Sequence, residues 1–205
     1  MKKTIFAIGR QFGSGGREIG RKLAEKLDIP FLDRELITEA SQKSGISEEY
    51  FQKIDETAAS SLLYSLSAGA YMMGNQMSTI SELPLNDRLY MVQADLIREK
   101  AEAGSCVIVG RCADYILQED PRCLSVFIHA CEADRLRRVT DVYGVDPKKA
   151  PDVMRRTDKK RAHYYNYYTN NSWGDVANYH LSFDSGKTGI DGGVDLIAAF
   201  AQYAR

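Results

Sequence analysis

TIFAIGRQFGSGGREIGRKLAEKL, residues 4–27, decides the fold. Thr4–Ile8 is a short apolar run, read as a strand buried on both faces. Ile19, Leu23 and Leu27 recur at four-residue spacing with Arg21, Lys22, Glu25 and Lys26 between them, which is one amphipathic helix. Between strand and helix stands Gly13-Ser-Gly-Gly16. Glycines let a backbone curl so that successive N–H groups point inward, and the helix behind them adds its N-terminal amides and dipole. The segment therefore reads as a phosphate-binding loop. A tight strand-to-helix turn with no ligand is the alternative.

Four further runs read as strands: Pro30–Leu32, Val107–Val109, Leu124–His129 and His180–Phe183. Helical patterns separate them. Asp33 can cap a helix carrying Leu36, Ile37 and Ala40 that stops near Gly45. A long helix starts at Asn86 or Asp87, presents Leu89, Val92, Leu96 and Ile97 on one face, and ends at Gly104. The last helix is expected from about Asp191 to Tyr203. This alternation predicts an α/β layered fold with right-handed crossovers, in one domain spanning 1–205. Residues 46–86 break the rhythm and read as a helical insertion.

The chain has 205 residues, 44% hydrophobic and 27% charged, with 27 Lys and Arg against 28 Asp and Glu. Near-neutral charge argues against a general nucleic-acid coat or an anionic-membrane binder. No stretch approaches the roughly 18 apolar residues needed to span a bilayer. The apolar run after Met1-Lys-Lys is too short for a signal core. Cys106, Cys112, Cys123 and Cys131 form no CxxC pair and are expected as reduced core thiols, which suits the cytoplasm. Leu62–Met73 is either a homo-oligomer interface or core packing.

The loop departs from the usual signature GxxxxGK[ST]. Aligned on Gly13-Ser14-Gly15, the lysine position is Gly16, followed by Arg17 and Glu18. The metal-binding hydroxyl is absent as well. Arg17, displaced by one residue, carries a permanent charge and a fork of donors; Arg10 and Gln11 are further donors on the same loop. Ten Lys or Arg against six Asp or Glu concentrate in 132–162. Two arginine-rich segments there flank Tyr143-Gly-Val-Asp-Pro147, the arrangement of a closing lid whose arginines neutralise a transferring phosphoryl group. A solvated helix face is the alternative. Gly110-Arg111 follows the third strand, so Arg111, Asp33 and Asp114 fall at the sheet edge where α/β proteins gather ligands. Tyr164, Tyr165, Tyr167, Tyr168 and Trp173 either stack on a base or pack together.

With these residues in place, the chain resembles the cytidylate kinase-like family of P-loop nucleoside monophosphate kinases. The resemblance is carried by Gly13-Ser14-Gly15, Gly110-Arg111, Asp158-Lys-Lys-Arg161, Phe183-Asp-Ser-Gly-Lys-Thr-Gly-Ile-Asp191 and the run RQFGSGGREIG…PFLDRELI. It covers almost the whole chain outside 46–86. It implies a three-layer P-loop kinase fold: a five-stranded parallel sheet, helices on both faces, a helical acceptor-side insertion and an arginine-rich lid. It also implies ATP-dependent phosphoryl transfer, with Mg²⁺, to a small-molecule nucleotide, CMP or dCMP. By that resemblance Gly13, Ser14, Gly15, Gly16 and Arg17 hold the donor phosphates, Arg111 holds the acceptor phosphate, and Asp158 and Arg161 sit on the acceptor or the transferring group. Arg155 and Arg156 are further lid candidates, and Asp33 is an acceptor or metal-water contact. Arg17, Arg111, Asp158 and Arg161 are the expected catalytic set. The residues identify no metal ligands. In this chain Cys112 stands where the family has the aspartate of Gly-Arg-Asp. The missing lysine leaves a second reading open, a non-catalytic nucleotide-binding or regulatory module.

Overall fold

A computed structural model describes residues 3–33, 35–45 and 84–204. The expected insertion at 46–86 and the apolar stretch Leu62–Met73 fall wholly or mostly outside these residues. Five strands, β1 (Ile5–Arg10), β2 (Phe31–Leu32), β3 (Cys106–Val109), β4 (Cys123–His129) and β5 (Leu181–Asp184), form one sheet in the order β2-β3-β1-β4-β5. Every pairing is parallel; Ile8 lies opposite Val109 on one side and Val126 on the other.

The two-residue period of the strands sorts the core into two layers. Ile5, Ala7, Cys106 and Ile108 face one side, where they pack with Leu36 and Ile37 of α2 (Glu35–Ser44) and with Leu89, Leu96 and Ile97 of α3 (Leu85–Ala103). Ala113 of the short α4 (Ala113–Ile116) and Leu117 close that layer. Phe6, Ile8, Val107, Val109, Val126 and Ile128 face the other side. There they meet Ile19 and Leu23 of α1 (Gly16–Leu27) and Val194 and Ile197 of α7 (Ser185–Tyr203). Most of these side chains are fully buried, and truncating one to alanine costs about 2–5 kcal/mol. This is why the strand runs read as nearly continuous apolar sequence.

The third cluster is smaller and lies at the carboxyl edge. Val139 of α5 (Glu132–Asp141) packs with Ala150 and Met154 of α6 (Ala150–Thr169), and Phe12 and Val145 lean on them. The arginine-rich segments thus form a helical hairpin seated on the glycine loop. The last helix begins six residues earlier than its apolar pattern suggests. Asp184 caps it by accepting from the Gly186 N–H at 2.8 Å, and Gly189 breaks its helical path. That first turn carries no apolar stripe, so periodicity misses it.

Candidate active site

The loop lies between β1 and α1. Gly13 and Gly15 adopt left-handed backbone, with φ of 82° and 76°, conformations that favour glycine. A Cβ on Gly13 would also lie 2.9 Å from the Arg135 carbonyl oxygen. Ser14 closes the curl by donating to the Gln11 carbonyl at 2.9 Å. No side chain caps α1 at Gly15, so the first-turn amides and the helix dipole are directed into the loop. The Ser185 hydroxyl donates to the Ser14 carbonyl at 2.6 Å and lies 3.0 Å from the His129 carbonyl, which fastens the β5–α7 turn to the loop.

One stripe of α6 crosses this edge. Met154, Asp158, Arg161 and Tyr165 follow at spacings of four, three and four, which keeps them on one face. Met154 enters the small cluster. Asp158 accepts the Phe12 N–H at 2.7 Å and pairs with Arg135, whose guanidinium also donates to the Phe12 carbonyl at 3.2 Å. Arg161 donates to the Arg10 carbonyl at 3.1 Å, with its guanidinium 5.7 Å from the centre of the Phe12 ring. Tyr165 donates to Asp114 of α4 at 2.7 Å. Arg155 and Arg156 lie off this stripe and are exposed; Arg155 pairs with Asp152 on its own helix.

The structure brings Gly13, Ser14, Gly15, Gly16, Asp158 and Arg161 together at the carboxyl edge of β1. Arg111 stands at the end of the adjacent β3, and is buried. Gly110, Arg111 and Cys112 all have positive φ, 76°, 60° and 55°. For the two non-glycine residues that conformation costs about 1–2 kcal/mol each, so the packing around them fixes where Arg111 is held. Arg17 takes a different direction from the one its spacing suggests. Its Nε donates to Asp33 at 2.5 Å, its guanidinium lies 5.8 Å from the Phe31 ring centre, and more than half of the side chain is exposed. The Arg17–Asp33 pair therefore belongs to the β2 side.

Two functional candidates escape the motif. Arg135 and Arg138 of α5 reach the loop. Arg138 pairs with Glu18 of α1, so the carboxylate in the first turn after the loop answers an arginine of α5. The run Glu132-Ala-Asp-Arg-Leu-Arg-Arg138 directly after an edge-reaching strand was the available signal. Arg138 also lines a cleft of about 300 Å³ with Gly13, Asp134, Ser185, Gly186 and Ile190. That size is at the lower end for a small-molecule site. The aromatic group turns mainly on itself: Tyr90 stacks on Tyr168 with ring centres 4.1 Å apart, and Trp173 meets Phe127 edge-on at 5.4 Å. Burial pushes the Asp114 carboxyl above the ordinary aspartate range, against the opposing hydrogen bond from Tyr165. Burial also raises the Cys112 thiol well above its usual value, so it stays protonated where the family pattern has a carboxylate.

The glycine cradle, the open amides of α1 and the adjoining cleft fit a nucleotide with its phosphates. For Mg²⁺ the donor set is thin. Among the described residues no group of three or more His, Cys, Asp or Glu could hold a metal ion. Mg²⁺ commonly keeps several waters and binds through one or two carboxylates plus substrate phosphates, and Glu18 and Asp33 are the carboxylates that flank the loop. No helix among the described residues is long and apolar enough to cross a membrane.

A parallel five-stranded sheet with a glycine loop after its central strand defines the P-loop kinase fold. The chain belongs to the cytidylate kinase-like family, whose model matches residues 5–187. Among solved structures, an uncharacterized protein from Eubacterium ventriosum is 32% identical, with 98% of this chain and 99% of that one covered and a TM-score of 0.71. Shikimate kinase from Bacteroides thetaiotaomicron covers 98% of this chain and 99% of its own at a TM-score of 0.54; at 14% identity that likeness concerns the fold alone. No curated protein matches the chain.

Proposed function

We propose that this protein transfers a phosphoryl group from ATP to a nucleoside monophosphate, with CMP or dCMP the foremost acceptors. The observation that carries the reading is the convergence of Asp158 and Arg161 from α6, and of Arg135 and Arg138 from α5, on the glycine loop. A protein that only retains nucleotide has less need of four lid side chains at the phosphates. Phosphoryl transfer depends on positioning and charge neutralisation, and that is what such groups supply.

In this reading the loop amides from Gly13 to Arg17 and the N-terminus of α1 hold the donor phosphates. The cleft beside Arg138 and Gly186 takes the donor nucleoside. Buried Arg111 orients the acceptor phosphate from the β3 side, and the Arg17–Asp33 pair borders the acceptor further out. An acceptor phosphate oxygen attacks the terminal phosphorus and ADP leaves. Arg161 faces the charge that spreads over the transferred group, while Asp158 holds Arg135 and the Phe12 amide in place. Mg²⁺, when bound, would be held through Glu18 or Asp33 together with the substrate phosphates and would supply positive charge against theirs.

The test is a coupled ADP-release assay with Mg²⁺ and CMP, dCMP, UMP or AMP beside a no-acceptor control. Acceptor-dependent turnover is expected, and Arg111→Ala is expected to lower it about 10²–10³-fold, the usual loss for one preorganised donor. ATP binding without turnover on any acceptor would favour the non-catalytic module instead.

A further inference from the structure

The loop has no lysine, and Arg17, the nearest cation in sequence, is turned to Asp33. The structure nevertheless brings a guanidinium to this place by another route. Gly16, the residue at the lysine position, is buried and lies in the first turn of α1 without a left-handed φ. Backbone conformation therefore does not require glycine there; space does. A Cβ on Gly16 would lie 2.6 Å from Arg10 Cβ and 3.2 Å from Arg10 Cγ. The Arg10 stem passes through the volume that a side chain at position 16 would fill.

Its other end arrives at a second glycine. A Cβ on Gly110 would collide with Arg10 Nη1 and stand 3.1 Å from Cζ. The Arg10 side chain thus runs from the first residue of α1 to the turn after β3, one residue before Arg111. The chain after β1 leaves to the α1 face of the sheet, while the chain after β3 leaves to the α4 face. Adjacent strands whose connections depart to opposite faces open a crevice at their carboxyl ends, where α/β proteins bind ligands. Arg10 lies along that crevice, between the loop assigned to the donor and the arginine assigned to the acceptor. Arg161 docks on its carbonyl.

We propose that Arg10 is the catalytic cation of this site, taking the part of the absent loop lysine at the terminal phosphoryl group of ATP, and that Gly16 and Gly110 are glycines because they make its channel. This rests on the function proposed above. Arginine fits the task because its guanidinium is always charged and its fork of donors matches phosphate oxygens.

The experiment compares wild type, Arg10→Met, Arg10→Gln and Gly16→Ala. It measures turnover, melting temperature, and calorimetric affinities for ATP and ADP. Arg10→Met is expected to lower turnover about 10²–10³-fold, to erase any preference for ATP over ADP, and to leave ADP affinity within about twofold. A merely structural role would weaken ADP as well. Alanine is the better helix former, so Gly16→Ala should melt no lower unless it displaces Arg10. It is expected to lose turnover, because the added methyl group displaces the Arg10 stem. If Arg10→Met does not fold, Arg10→Gln with an unchanged melt carries the same comparison. Wild-type turnover with an unchanged ATP-to-ADP ratio in folded Arg10 variants would overturn this proposal alone. Wild type that binds no ATP would overturn both it and the proposed function.

Discussion

Replacing Asp158 by alanine should loosen α6 from the loop by a measurable amount. Its carboxylate accepts the Phe12 N–H at 2.7 Å and pairs with Arg135, and the two side chains are 16% and 14% exposed. Removing one partner of a fully buried pair costs about 3–5 kcal/mol, whereas a surface pair is worth about 0–1 kcal/mol. An exposure near one-seventh lies closer to the buried limit, so about 2–3 kcal/mol is expected, which includes the amide left without its acceptor. For a chain of this size each kcal/mol moves the melting point by about 2–4 °C, so Asp158→Ala should melt roughly 5–10 °C lower. Asp158→Asn keeps an acceptor for the Phe12 amide and loses only the charge, so its drop should be about half as large. Thermal melts followed by circular dichroism, with turnover measured well below the transition, check this. A shift under about 1 °C for the alanine variant would show that α6 is not anchored through this contact, and the reasoning would fail.

Asp114 supplies a pH prediction. Its folded carboxyl titrates above the ordinary aspartate range because burial disfavours the charge, so its contribution to stability is fully present below the unfolded value and is lost as pH rises through the folded one. Asp114→Asn should therefore gain stability over wild type at neutral pH and lose that advantage near pH 4, read from urea melts at the two pH values; equal gains at both would contradict the assignment. Thiol chemistry should separate the cysteines. Cys131 is exposed, while Cys106, Cys112 and Cys123 are buried, with burial pushing the Cys106 thiol up to about 11 and the Cys123 thiol up to about 12. One thiol should react quickly with a disulfide reagent at pH 8 and three only in denaturant, and more than one fast equivalent would count against the buried placement.

The sheet was legible because each strand is short, apolar and bounded by turn residues, and because α1 repeats its apolar residues every four positions. The loop was legible for the same local reason. The contacts of α5 and α6 with the loop were not. Phe12 and Asp158 are 146 positions apart, and a charge run does not say which face of a helix meets the rest of the molecule. The four-three-four spacing of Met154, Asp158, Arg161 and Tyr165 held that answer, but it mixes apolar, acidic, basic and aromatic residues and so gives no hydrophobic period. The pairing of Arg17 was hidden for a related reason. Proximity in sequence to the glycine loop did not reveal the competing carboxylate of Asp33, which only the fold brings to 2.5 Å. Cys131 was expected to be a core thiol and is exposed at the start of α5.

The stripe on α6 has a mechanical consequence. Asp158 grips the backbone of the loop and Tyr165 grips α4, seven residues apart, or about 10 Å along a rod that bends little over two turns. The two grips cannot slide independently. Anything that moved Phe12 and Asp158 would carry Tyr165 along and tug Asp114, so the two ends of the sheet crevice would feel a shared displacement, as two hands on one oar.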